Sequence, residues 1–368
     1  MKRTPHKFSG RTALICVLVI LVACTAFFSN RNQQMREANV SDVALGTLVN
    51  VRLYSQIPQG ALNSAANAAL GRARELEDIF SVYSEDSEIT YVNQNAAAGP
   101  VHVSDDFYAV LERSLYFAQL TDGAFDPTLG RLIQLWGIGT ENARVPSESE
   151  ISPFVGKKNY EHVILDEEEH TVYFENSDFS LDLGGIVKGY AADEIKKLLM
   201  EEYDIASGLI NLGGNIMTIG SRPDGQPWTL GIADPKNPQD SSQTVASMAV
   251  TDKTFVTSGD YQRYFEDENG NRYHHILDGS TGYPADTHLS SVTIIGNTSM
   301  DADALSTACF VLGEEKGMEL LESLDGFDGV FIGSDGHLSA TEGVSGQLQM
   351  TETQSETQAE IQTETQEE

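Results

Sequence analysis

Cysteine is nearly missing from this chain of 368 residues: only Cys16, Cys24 and Cys309 occur. Two of them fall in the leader, so the body that follows keeps Cys309 alone and can form no internal disulfide. Cys309 sits in the apolar run Ala308-Cys309-Phe310-Val311-Leu312 and reads as a small core residue. Basic residues are also scarce. There are 23 Lys and Arg against 55 Asp and Glu, a net charge of -32. Such a surface repels phosphate backbones and argues against a nucleic-acid partner. It repels small phosphate-bearing ligands at long range too, so an anionic ligand must be met by a local cation or a helix N-terminus. Both standard nucleotide loops are absent: no Gly-x-Gly-x-x-Gly follows a strand pattern, and no Gly-x-x-x-x-Gly-Lys-Ser/Thr occurs. No internal repeat is present. Hydrophobic residues still make up 40% of the chain, enough for one substantial core.

The N-terminus carries an address. Lys2, Arg3, Lys7 and Arg11 form a positive region ahead of the apolar residues 13–24, a run too short for a comfortable membrane span. It ends Leu21-Val22-Ala23-Cys24, the pattern of a bacterial lipobox, in which Cys24 is lipidated and becomes the mature N-terminus. An uncleaved signal anchor is the alternative, because Ala26-Phe27-Phe28 continue the apolar character. Either reading places the body outside the cytoplasm, tethered to the membrane. The chain then divides into a leader at 1–24, a polar linker at 25–42, a folded domain at 43–342 and an acidic, disordered tail at 343–368, rich in Gln, Thr, Ser and Glu.

Inside the domain, Thr47, Val49, Val51 and Leu53 alternate as in a strand. Leu62, Ala66, Ala69, Leu70, Ala73, Leu76 and Phe80 recur at three and four, as on one face of a helix. Ser104 can cap a second helix, with Asp105 and Asp106 in its electropositive first turn. Residues 162–165 and 171–174 flank an acidic turn and predict a hairpin. A helix over about 186–203 follows a Gly-Gly turn, short strands fill 208–297, and helices near 300–312 and 314–323 precede a strand near 329–332. This order predicts an α+β fold with mixed, mostly antiparallel sheets and packed helices.

Three clusters can carry chemistry. The first is Leu181-Asp182-Leu183-Gly184-Gly185-Ile186-Val187-Lys188-Gly189-Tyr190-Ala191. The glycines let the chain turn sharply, the next helix offers unpaired amides to an anion, and Lys188 stands in its first turn. Read alone, this is also an ordinary strand-turn-helix joint. The second runs from Ser299, a candidate cap, through Asp303 to Thr307. Asp303 and Thr307 share one helical face, and a carboxylate beside a hydroxyl suits a hard cation such as magnesium, which takes few protein ligands. The third joins Thr257-Ser258-Gly259-Asp260-Tyr261-Gln262-Arg263-Tyr264-Phe265 to His274-His275. Adjacent histidines on a strand face opposite ways, so one can face a cleft. No His or Cys partner stands at zinc-ligand spacing.

Taken in order, these clusters resemble the ApbE family of FAD:protein FMN transferases over about residues 43–333. Further matching pieces are Gly46-Thr47, Phe80-Ser81-Val82-Tyr83, Ser87-Glu88-Ile89, Asp122 to Thr128, Leu135-Trp136-Gly137 and Asn211-Leu212-Gly213-Gly214-Asn215. The resemblance implies FAD as substrate and Mg2+ as cofactor. Leu45, Tyr83, Ala124, Phe125, Asp126, Asp182, Lys188 and His275 would hold FAD. Gly185 through its backbone oxygen, with Asp303, Ser306 and Thr307, would surround the metal. His275 would lie by the diphosphate and take the proton of an attacking Ser or Thr hydroxyl, with Asp303 as the second catalytic residue. The acceptor protein implied carries a Ser/Thr-Gly-Ala-Thr motif and is an exported or membrane electron-transfer protein; this chain has no such motif itself. Two positions depart from the family pattern: Leu45 replaces a usual methionine, and Asn215 a frequent aspartate. FAD hydrolysis to FMN and AMP, or flavin binding without catalysis, are the alternative readings.

Overall fold

In the central strands, neighbouring apolar residues take opposite sides. Ile210, Met217, Val256, Ile294 and Phe331 join one buried cluster. Leu209, Ile216, Phe255, Ile295 and Val330, each one position away, join or flank another. A period of two with both faces apolar requires a sheet covered on both sides. The computed structural model, which describes residues 34–238, 240 and 243–351, has that architecture.

The strands of this central sheet are β1 (Arg36–Ala44), β2 (Thr47–Ser55), β3 (Gly208–Leu212), β4 (Asn215–Ile219), β7 (Thr254–Gly259), β8 (Leu289–Gly296), β9 (Asp328–Gly333) and β10 (Leu338–Ala340). Between them in sequence lie β5 (Trp228–Ala233) and β6 (Thr244–Val250), which join β11 (Gln349–Met350) in a second sheet. The large sheet has the order β1-β2-β3-β4-β7-β8-β9-β10, and every pairing in it is antiparallel. One face carries α1 (Gln59–Phe80), with α2 (Glu88–Asn95), α3 (Asp105–Leu120) and the short α4 (Gly130–Trp136) nearby. It also carries α5 (Val187–Tyr203), α6 (Ser299–Leu312) and α7 (Glu314–Glu322). The other face packs on the small sheet through Trp228, Leu230, Val245 and Met248. Helices, sheet and sheet therefore form three layers, and the α+β expectation holds.

Two boundaries move. Residues 36–42, read as linker, belong to β1, whose nine residues pair in register with β2 from Arg36↔Ser55 to Ala44↔Thr47. The segment read as tail from 343 is structured at its start: Glu342–Ser345 form a helical turn, and Gln349 and Met350 pair with Ser247 and Ala246. The first segment is held mainly by backbone pairing; the second also packs Val344, Leu348 and Met350 against the core between the two sheets. The leader with Cys24 and the end of the tail lie outside the described residues. Among the described residues no helix is long and apolar enough to cross a membrane.

Candidate active site at the seam of two helices

The segment that delivers Asp182 is pinned before it turns. The Leu181 amide donates to Asn93 Oδ1 at 2.7 Å, and Asn93 Nδ2 donates to the Leu181 carbonyl at 3.0 Å. A side-chain amide thus stands in for a neighbouring strand. The Asp182 amide donates to the Pro127 carbonyl at 2.9 Å, and Asp182 Oδ1 accepts from the Gly184 amide at 2.9 Å. The chain then turns into α5.

At Gly189 the helices α5 and α6 come closer than any side chain permits. A Cβ there would lie 2.1 Å from the Ser299 carbonyl oxygen and 2.8 Å from Asp303 Cβ. The approach lets the Gly189 amide donate to Asp303 Oδ2 at 2.9 Å. Asp303 is only 3% exposed, and its other partner is Lys188, whose Nζ stands 3.4 Å from Oδ1 and donates to the Gly184 carbonyl at 3.1 Å. A buried carboxylate needs such partners, because desolvating an unpaired charge is costly. Ser299 does not cap α6, as the sequence suggested. Asp193 of α5 does, accepting from the Ser299 and Met300 amides at 2.9 and 2.8 Å. Ser299 instead accepts from Thr254 Oγ1 at 2.9 Å. From α3, Arg113 holds Asp301 with two bonds of 2.6 and 2.7 Å.

One turn after Asp303, Thr307 faces the Gly184-Gly185 turn. A Cβ built on Gly185 would lie 3.5 Å from Thr307 Oγ1 and 3.1 Å from the Phe125 ring. The nearest hydroxyl to Thr307 Oγ1, Ser258 Oγ, is 3.5 Å away, at the limit of a hydrogen bond, so the Thr307 oxygen is nearly uncommitted. Ser306 differs. It donates to the Asp303 carbonyl at 2.8 Å and shares a 2.8 Å bond with Ser258, so its hydroxyl already braces α6 against β7. Asp303, Thr307 and the Gly185 turn offer oxygen atoms only. No group of three His, Cys, Asp or Glu suited to a metal exists among the described residues. One carboxylate with neutral oxygens fits a hard cation that takes its remaining ligands from phosphate and water.

The two histidines separate as their alternation predicts. His274 is buried and bonds the Ala285 carbonyl through Nε2 at 3.0 Å. His275 is half-buried, and its Nδ1 lies 3.2 Å from the Arg263 carbonyl. A carbonyl only accepts, so Nδ1 carries the proton and Nε2 keeps its lone pair. Burial, then the positive charges of Arg263, His274 and Lys188, push the imidazole down to about 3. It is neutral throughout the physiological range. Burial raises Asp182 above the usual carboxylate range, opposed by the Gly184 amide and by Arg263 and Lys188. Burial likewise takes Asp126 up to about 6, against two bonds from Thr128.

The rim is built differently. Leu45 and Gly46 turn the β1-β2 hairpin with φ of 53° and 66°, the left-handed pair of a two-residue turn. A leucine is strained there, and backbone strain gathers at ligand sites. Arg263 Nη2 donates to the Gly46 carbonyl at 3.1 Å and so brings this tip to His275. Phe125 is buried against Gly185, while Ala124 is half-buried beside it. Tyr83 stands 72% exposed, and no hydrogen bond or ring contact among the described residues fixes it to the cleft. Asn215 is buried, with an Nδ2 that finds no partner. The site residues that sequence reasoning left unassigned are Asn93, Asp193, Ser258 and Arg263. Ser258 and Arg263 stood within the third cluster; nothing in the pattern singles out the other two.

Comparison with known proteins gives the chain a family and a matching fold. The ApbE family's sequence model matches residues 45–331. An FAD:protein FMN transferase of Treponema pallidum (strain Nichols) is 36% identical over 92% of this chain and 94% of its own length. One from Klebsiella pneumoniae (strain 342) is 34% identical over 81% and 89%. Among solved structures, the ApbE protein of Thermotoga maritima superposes with a TM-score of 0.78 at 34% identity, covering 85% of this chain and 99% of that one. The flavin transferase ApbE of Vibrio cholerae gives 0.73 at 28%, over 84% and 98%. With the match spanning nearly all of the folded body, from the strained tip at Leu45 through the α5-α6 seam, this chain belongs to the ApbE family.

Proposed function

We propose that this chain is a magnesium-dependent FAD:protein FMN transferase that moves FMN from FAD onto a serine or threonine hydroxyl of another protein and releases AMP. The observation that carries this reading is the seam. A buried carboxylate, Asp303, is held by a backbone amide and by Lys188, with the oxygen of Thr307 and the Gly184-Gly185 turn one helical turn away. The names of the relatives support the flavin and the protein acceptor.

Asp303, Thr307 and the Gly185 carbonyl would hold magnesium, which when bound supplies positive charge to the diphosphate oxygens. Lys188 adds a second positive charge at the same place. The amides that open α5 are largely spent within the protein, those of Ile186 and Val187 on the Leu183 carbonyl and that of Gly189 on Asp303, so Asp182 orients the substrate, and Phe125 offers an apolar wall. Tyr83, exposed and unfixed, is free to stack on a planar ring. His275, with Nδ1 donating to the Arg263 carbonyl, presents Nε2 to the hydroxyl that attacks the FMN phosphorus. That nitrogen takes the hydroxyl proton as the new phosphorus-oxygen bond forms, and AMP departs with the bridging oxygen. The imidazole is a weak base first because it is buried and then because Arg263 and Lys188 lie near it. A bound diphosphate offsets those two charges and removes that part of the penalty on the protonated ring.

The acceptor is an exported or membrane electron-transfer protein bearing a Ser/Thr-Gly-Ala-Thr motif. The enzyme is held at the membrane's outer side through lipid on Cys24. Incubating the purified chain with FAD, magnesium and such an acceptor should raise the acceptor's mass by one FMN. Release of free FMN with an unlabelled acceptor would make the chain a hydrolase instead.

A further inference from the structure

Arg263 is the cation of the cleft that the reading above leaves without a task. Its guanidinium reaches the hairpin tip and donates through Nη2 to the Gly46 carbonyl at 3.1 Å. The arm runs beside two glycines, and only Gly46 lies close enough for an added Cβ to press on it. A Cβ on Gly139 would lie 3.5 Å from Arg263 Cδ, and one on Gly46 would lie 3.3 Å from Nη2. The backbone of the same residue anchors His275, whose amide and Nδ1 both meet the Arg263 carbonyl, at 3.1 and 3.2 Å. Arg263 therefore joins the segment that holds His275 to the hairpin tip at Gly46, 217 residues away in the chain.

Its charge is as informative as its place. Among the described residues no carboxylate forms an ion pair with Arg263, in a chain where acidic residues outnumber basic ones 55 to 23. Arg263 and Lys188 both act electrostatically on Asp182 and on His275. Two cations thus bear on the same two groups, Lys188 from the α5 side and Arg263 from the hairpin side. A guanidinium that spends one N–H on Gly46 keeps four donors, in a planar fork that matches phosphate oxygens. A protein of net charge -32 needs such a device, because its long-range field turns an anionic substrate away.

We propose that Arg263 is a further FAD-binding residue, a guanidinium that takes the substrate's diphosphate from the side opposite Lys188 while pinning the Leu45-Gly46 tip over it. This rests on the flavin reading above, so the test separates the two. Binding of FAD to the full chain is followed by flavin fluorescence at low and moderate salt, without acceptor, for the wild type, Arg263→Gln and Arg263→Lys. Glutamine keeps a donor for Gly46 and loses the charge. The proposal predicts that Arg263→Gln weakens FAD binding on the order of tenfold to a hundredfold, the range for a hydrogen bond to a charged group. Its affinity should also depend less on salt than the wild type's, and Arg263→Lys should recover much of the loss. Circular dichroism should show an unchanged fold. Unchanged affinity in Arg263→Gln overturns the proposal. So does a loss with undiminished salt dependence, which would mean that shape was lost rather than charge. A wild type that binds no FAD would instead defeat the flavin reading itself.

Discussion

The seam between α5 and α6 and the rim around the hairpin tip are linked through Arg263 and His275 but are made in opposite ways. At the seam the functional groups are fixed by backbone. Gly189 and the Ser299 and Met300 amides are all engaged by carboxylates, and Asp303 is 3% exposed. At the rim the groups hang from side chains and turns: a strained Leu45, an arginine spanning 217 residues of sequence and a Tyr83 that is 72% exposed. The contrast follows the chemistry each region must do. Charge stabilisation is strongest where groups are preorganised and shielded from water. A large substrate and a protein acceptor must enter from the open side, where mobility costs little.

The comparison can be broken at the seam first. Gly189→Ala places a methyl 2.1 Å from the Ser299 carbonyl, a backbone atom that cannot step aside. It should cost about 3 kcal/mol or more, the upper range for overpacking, and should remove transfer along with stability. A thermal melt close to that of the wild type would show that the two helices are not locked there.

His275 lies between the regions, and its variant should separate binding from chemistry. His275→Ala should keep FAD affinity within a few-fold and lose about 10²–10⁴-fold in transfer, the usual range for a general base. The pH profile sharpens this. The free imidazole is held down to about 3, so kcat/KM should show no acid limb from this group between pH 8 and 5. A limb near 6.5 that vanishes in His275→Ala would mean that burial and the nearby cations do not bear on the ring as described.

The smallest effect is expected at the rim. Leu45→Gly relieves a positive φ that leucine adopts at a cost of order 1 kcal/mol. The glycine loses an apolar contact and gains backbone freedom in the unfolded chain, so stability should change by less than about 1 kcal/mol. FAD affinity should fall more than stability does. Equal small changes in both would mean that the strained tip does not touch the substrate.

How much of this was legible in the sequence depended on whether a residue acts through a pattern or through the backbone. The long helix from Gln59 to Phe80 was legible because Leu62, Ala66, Ala69, Ala73 and Leu76 recur on one face and are all buried. Asp303 and Thr307 were legible as a pair because spacing of four puts them on one side of a helix. The strand Arg36–Ala44 was not, because it lies at the sheet's edge and only Ala38 and Ala44 of its nine residues are buried. Asp193 and Asn93 were invisible for a related reason. Each satisfies backbone amides of a segment far away in sequence, and no local pattern records such a partner. Arg263 stood in a motif, yet only the fold brings it to Gly46.

The central claim is that Asp303 supplies the full negative charge of a hard-cation site and Thr307 a neutral oxygen beside it. The measurement is FMN incorporated into the acceptor across a magnesium titration, for the wild type, Asp303→Ala and Thr307→Ala, with circular dichroism as the control on folding. The account predicts that Asp303→Ala is inactive at every magnesium concentration and that excess magnesium partly rescues Thr307→Ala, because a hard cation gains most from the carboxylate. Wild-type transfer by a folded Asp303→Ala, or full activity of the wild type in chelator, would contradict it.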